Sequence, residues 1–319
     1  MQHSIWLLLV VTASLLWAST SLLYKAGVHD RKEEHICLKY SVCIGVVFFV
    51  IACVFLVLRD EPFTIWESAA RYWPMTIFGP LYAVINTISF NGYVYNEAAV
   101  ESPVEGIGAG TSTLLLIFAY LALGRADSAF ELLTPLRTAG IVMILLSVAR
   151  LAVVRNRSSR KYGQSAAWMT RGLGTLVFPL LFSLGDALET IVTGLCLDAT
   201  YGYAMPEGDS VIIIGMEYAL FALGCWVYVY RKEGRPYNPF TRYSAPRILG
   251  ALADNAGIVC YSYAMAMNSV STDPLLAVYP VFVMIGGRVI MKERLSASQY
   301  VCLLGVVAGS VMVVADTVF

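Results

Sequence analysis

The stretch ICLKYSVCIGVVFFVIACVFLVL, residues 36–58, carries a single charged side chain, Lys39. A helix rises about 1.5 Å per residue, so roughly 20 such residues cover the ~30 Å hydrocarbon layer of a bilayer. No water reaches the backbone there, and a spanning chain must satisfy its N–H and C=O groups within itself. Working outward, stretches of the same kind occupy 5–24, 74–94, 103–123, 132–152, 173–196, 210–230, 247–266, 273–291 and 298–316. The sequence therefore predicts an all-α polytopic membrane protein with ten transmembrane helices.

Composition agrees. Hydrophobic residues make up 58% and charged residues 14% of the chain, against about 25% charged in a soluble domain. A large soluble head is excluded, and the polar segments 153–172 and 231–246 read as connectors. The formal net charge is +0, which gives no reason to expect a nucleic-acid partner. Met1-Gln2-His3-Ser4 holds no Lys or Arg, so the first apolar stretch reads as a helix of the mature protein and not as a cleaved signal. Cys37, Cys43, Cys53, Cys196, Cys225, Cys260 and Cys302 lie singly in or beside the spans, and His3, His29 and His35 lie outside them or at their edges. Neither pattern makes a disulfide framework or a zinc site, and no cofactor or metal is expected.

Eighteen of the 22 Lys and Arg residues fall on the loops and helix edges after the first, third, fifth, seventh and ninth stretches. The positive-inside bias then puts both termini outside the cytoplasm, in a multi-pass protein of the bacterial cytoplasmic membrane. The basic run Arg155–Lys161 is explained by that topology without an anionic-lipid or nucleic-acid partner.

The connector divides the chain into similar parts: 1–154 as a first five-helix repeat, 155–172 as a basic cytoplasmic linker, and 173–319 as a second repeat. Leu15-Leu16-Trp17-Ala18 corresponds to Leu180-Leu181-Phe182-Ser183, and Leu38-Lys39-Tyr40-Ser41 to Met216-Glu217-Tyr218-Ala219. Phe90 and Tyr261, and likewise Pro103 and Pro274, stand 171 residues apart. With an odd number of spans per half, the copies enter the membrane from opposite sides. Inverted repeats of this kind point to a secondary transporter with its site at the repeat interface.

On Trp17, the short joints leading to Pro103 and Pro274, Pro280, Met291-Lys292-Glu293-Arg294-Leu295-Ser296 and Gly305-Val306-Val307-Ala308-Gly309, the chain resembles the ten-helix, EamA-like branch of the drug/metabolite transporter superfamily. The resemblance covers essentially the whole sequence. It implies two inverted five-helix repeats and alternating access. Many members carry basic residues at the N-terminus and after the second helix, implying cytoplasmic termini; here the positive charge lies on the other side.

Five carboxylates fall within spans: Glu105, Asp186, Glu189, Glu217 and Asp254. An ionised group at mid-bilayer costs roughly 2.5–3.5 kcal/mol on insertion scales, so such residues face water or a partner. By depth, Glu105 is positioned to pair with Lys39, and Glu217 with Arg137, as ion-pair or coupling residues. Asp186 and Asp254 lie deeper than any Lys or Arg and are the leading candidates for substrate binding. Ser183, Asp186, Glu189, Thr190 and Thr193 recur at helical spacing on one face, as do Tyr82, Asn86, Ser89 and Tyr93. Asp254, Asn255 and Tyr261 add a third polar set. Such groups also join helices by hydrogen bonds.

With Trp17, Tyr82, Tyr93 and Tyr261 nearby, these acids suit a cationic or zwitterionic small molecule, since carboxylates neutralise an ammonium and ring faces attract it. Intramembrane acids also carry protons for coupling. The competing readings are an exporter of neutral amino acids or drugs without charge selectivity, an intramembrane aspartyl enzyme built on Asp186 and Asp254, and a receptor or scaffold. The expected partners are the small-molecule substrate, the bilayer and protons, with the chain a monomer or homodimer. The Gly106–Gly110 and Gly305–Gly309 pairs serve intramolecular packing before a dimer face, and the start of the fourth helix is placed to bend.

Overall fold

In the computed structural model, which describes residues 2–28, 33–59, 63–108, 111, 115, 121, 134–161, 176–197, 203, 205–267, 276 and 279–315, all regular structure among those residues is helical. In chain order the helices are α1 (Gln2–Ala26), α2 (Ile36–Leu58), α3 (Ile65–Arg71), α4 (Trp73–Ser89), α5 (Asn91–Tyr95) and α6 (Ala98–Glu105). Then follow α7 (Pro135–Lys161), α8 (Val177–Leu197), α9 (Glu207–Glu233), α10 (Ala245–Met267), α11 (Tyr279–Val289) and α12 (Ala297–Ala315). Among the described residues, three helical segments, Ile5–Ala26, Ile36–Leu58 and Gly208–Glu233, are long and apolar enough to cross a membrane, and Tyr279–Val289 and Ala297–Val313 are shorter apolar helices. Leu8, Val57, Leu146, Leu220 and Ile290 project from the surface, an apolar exterior in keeping with a membrane-embedded protein.

Several boundaries differ from the sequence reading. The third stretch is two helices, α4 and α5, interrupted at Phe90 and preceded by the short α3. The fourth begins at Ala98 instead of 103, and a turn at Gly106 and Ile107 follows Glu105. Most of 109–133 lies outside the described residues, Gly110 included, as does most of 268–278, so the tenfold count of spans rests partly on segments without a description. The basic run after 154 is helical as far as Lys161, where α7 ends.

Local chemistry explains several ends. Gly234 closes α9 with φ 70° and donates its N–H to Tyr230 O at 2.9 Å, a left-handed position that only glycine takes without a Cβ clash. Glu293 lies in the segment between α11 and α12. It accepts hydrogen bonds from the N–H groups of Ala98 and Ala99 at 2.8 and 3.0 Å, so a distant carboxylate caps α6 and meets its positive end.

The helices pack mainly across the two halves. α2 lies along α9, α7 along α12, and α6 against α11; α1 packs on α10 and α11, and α8 on α4 and α6. Glycine sets the closest approaches. A Cβ on Gly45 would sit 2.6 Å from Tyr218 O, and one on Gly215 would sit 2.7 Å from Phe48 O. Between α7 and α12, a Cβ on Gly140 or on Gly309 would lie 2.7 Å from the other's carbonyl oxygen. Gly309 thus serves packing within the chain, as small residues do in membrane bundles.

Candidate functional site

The polar stripe of α8 divides by role. Ser183 is buried and shares a 2.9 Å hydrogen bond with Thr111, joining helices. Asp186, Glu189, Thr190 and Thr193 instead line a cavity of about 510 Å³. Tyr82, Asn86 and Ser89 of α4 and Tyr93 of α5 face the same space, as do Trp17 of α1, Glu105 of α6, Arg137 of α7, Glu217 of α9, and Asp254 and Tyr261 of α10. Both halves of the chain contribute walls.

Each acid has its own setting. Tyr24 donates its hydroxyl to Asp254 at 3.3 Å, Tyr93 to Glu105 at 2.8 Å, and Thr193 to Glu189 at 2.7 Å. Asp186 packs against the backbone of Gly108, where a Cβ would come within 2.7 Å of its Oδ2. Glu217 is seated against Gly79, and neither of its buried oxygens has a hydrogen-bond partner among the described residues. No ion pair joins Glu105, Glu189, Glu217 or Asp254 to a Lys or Arg among the described residues. A buried carboxylate without a cation is a costly arrangement unless something else supplies the charge.

Aromatic rings form the rest of the wall. Trp17 meets Tyr261 with centroids 5.5 Å apart and Tyr279 at 6.1 Å. Asn86 donates to the Tyr218 hydroxyl at 3.2 Å, which fixes that ring beside Glu217. At the end where α1, α5 and α9 finish, Tyr24 packs edge-on to Tyr40, Phe90 and Tyr93 at 5.6, 5.2 and 6.0 Å, forming a floor.

A charged network lies beyond that floor. The fully buried Arg247 donates to Gly27 O at 2.9 and 3.1 Å, forms an ion pair with Glu33, and stands 4.9 Å from the Tyr40 ring centroid. Lys39 pairs with Glu33 at 3.4 Å and Glu233 at 2.8 Å. Tyr237 meets Ser244 at 2.8 Å, and burial holds its hydroxyl pKa above the usual value. Burial alone would raise the Glu33 carboxyl, but the Arg247 guanidinium and the Lys39 ammonium bring it below the ordinary carboxylate value. At the other end, Arg59 bonds Asp209.

Three sequence expectations are corrected. Lys39 does not pair with Glu105: it lies in the first turn of α2, within reach of Glu33 and Glu233, and outside the cavity wall. Glu217 does not pair with Arg137, although both line the cavity. Asn255 is buried but does not line the cavity. Successive helical residues point about 100° apart, so α10 turns Asp254 inward and its neighbour away. Tyr24, Phe182 and Tyr218, which the sequence reading did not single out as site residues, do line it. A tyrosine at the end of an apolar stretch reads as an interface anchor, which concealed Tyr24; its hydrogen bond to Asp254 has no sequence signal.

No family model matches this chain, and no curated protein matches it. It is similar to a solved structure described only as "Crystal structure of protein", with a TM-score of 0.56 and 14% identity, covering 96% of this chain and 94% of that one. At that identity the likeness concerns the fold alone.

Proposed function

We propose that the chain is a secondary transporter built from two inverted five-helix repeats, moving a small cationic or zwitterionic metabolite by alternating access, in the manner of the EamA-like drug/metabolite transporters it resembles. The observation that carries this reading is the cavity between the halves, lined by five carboxylates and by rings from both. Asp186 and Asp254 serve as counter-ions to the substrate amine, and Trp17, Tyr82 and Tyr261 contact its apolar part. Arg137 on the same wall is the complement a zwitterion's carboxylate needs.

The packing pattern supports the repeat. Exchanging α1 with α8, α2 with α9, α4 with α10, α6 with α11 and α7 with α12 turns the α1–α10 pair into α8–α4, both present. The α2–α10 pair becomes α9–α4 and the α1–α11 pair becomes α8–α6, again both present. The Lys/Arg bias assigns the Arg247 network to the cytoplasmic face, so the Tyr24 end of the cavity faces inward and the termini lie outside. Protons released by the cavity acids are the natural coupling currency. Catalysis is not assigned to the cavity.

The test begins with thermal shifts of the purified protein against amines, amino acids, nucleosides and sugars, then uptake of the stabilising compound into proteoliposomes. Asp186→Asn and Asp254→Asn are each expected to lower uptake by at least about tenfold, the value of one lost charge-assisted bond. Undiminished uptake in both variants would remove the assignment.

A further inference from the structure

The cavity acids do not converge on one point. Tyr24 and Tyr93, whose rings lie 6.0 Å apart, hold Asp254 and Glu105. Gly185 of α8 packs at Tyr82 and Ile85 of α4, and Cys196 clusters with Met75, so the two helices run antiparallel and Glu189 falls level with Gly79 and the Glu217 carboxyl. Asp186 and Glu189 are three residues apart on α8, about 4.5 Å along its axis. The acids therefore form two tiers in one cavity, with Tyr82 on its wall. Among the described residues, the three-ligand group with all its atoms within 4.8 Å is Glu34, His35 and Glu233, which lies outside this cavity. The geometry is thus unsuited to a single metal ion held by several cavity carboxylates.

The upper tier points to a ligand in its own right. Glu217 is only 9% exposed, faces the cavity, and has no hydrogen-bond partner for either oxygen among the described residues. Gly79 makes room for its carboxyl, since a Cβ there would overlap Oε2. Among the described residues of the lining, five acids stand with one guanidinium, that of Arg137. One ammonium on the lower tier would leave the upper carboxylates unanswered.

Resting on the transporter reading above, we infer that the substrate is a linear dication of the diamine or polyamine class. One ammonium sits among Glu105, Asp186 and Asp254, and the second between Glu189 and Glu217. The methylene chain lies against Tyr82, whose ring is flanked by Phe182 and Tyr218 at 6.3 and 6.5 Å.

The experiment measures binding of putrescine and of n-butylamine, which share a chain length and differ by one ammonium, to the full chain in lipid nanodiscs. Putrescine is expected to bind at least about tenfold more tightly, because the second ammonium gains charge-assisted hydrogen bonds. Glu217→Gln is expected to erase that preference, and Glu189→Gln to reduce it, giving a second variant should the first fold poorly. Equal affinities in the wild type, with both amines lost in Asp254→Asn, would overturn the dication and leave the transporter of amines standing. Binding of neither amine would overturn both.

Discussion

At the scale of single residues, the cavity depends on how carboxylates are seated against glycine. Gly79 and Gly108 have no side chain where Glu217 and Asp186 place their oxygens. A methyl at Gly79 meets only the far end of a flexible side chain, so Gly79→Ala is expected to fold normally, with a stability change below about 1 kcal/mol. It should nevertheless displace the Glu217 carboxyl and match Glu217→Gln in the loss of putrescine preference. Thermal unfolding and amine binding on the same preparation check both halves. Asp186 and Asp254 were legible as candidates, because an acid deep in an apolar stretch demands an explanation. Asn255 misled, since the next residue along a helix points about 100° away.

Among the elements, the α2–α9 pair is held by backbone proximity at Gly45 and Gly215. Here an added methyl meets carbonyl oxygens instead of a mobile side-chain end. Gly45→Ala and Gly215→Ala should each destabilise the protein by roughly 1–3 kcal/mol, the usual cost of overpacking. The double variant should lose less than the sum, because separating the helices once relieves both clashes. Unfolding in mixed micelles measures the difference. Among the described residues, most helix positions were readable from hydropathy. The break at Phe90 and the early start of α6 at Ala98 were not, because Glu293 caps α6 from nearly two hundred residues away in sequence.

For the whole molecule, the Glu33–Arg247–Lys39 network ties α1, α2, α9 and α10 together beyond the Tyr24 ring cluster, and it is expected to seal that end of the cavity. Removing one partner of a buried pair leaves the other charge uncompensated, so Glu33→Gln is expected to lose on the order of 2–3 kcal/mol at neutral pH. The folded Glu33 pKa lies below its ordinary value. Its contribution is therefore present above the ordinary carboxylate range and fades as pH falls through the depressed folded value. The wild-type advantage over Glu33→Gln should accordingly vanish in acid, as unfolding across pH would register. Cys43, buried and 3.5 Å from the Tyr237 hydroxyl, reports on the same closure. In a variant whose other six cysteines are replaced by alanine, Cys43 should react faster with an impermeant maleimide when Glu33 is also replaced, and an unchanged rate would mean that the network is not a seal.

The amino-acid sequence by itself determined that the chain is helical and apolar, where most helices lie, and which carboxylates need an aqueous or charged neighbour. Those properties follow from side-chain transfer energies and from the backbone's need for internal hydrogen bonds, both local along the chain. Tertiary structure decided which acids share a cavity, that Lys39 and Arg247 pair with Glu33 outside its wall, and that Tyr24 belongs beside Asp254. Those outcomes depend on helix rotation and on close approaches between halves, where one position along a helix turns a side chain by about 100°.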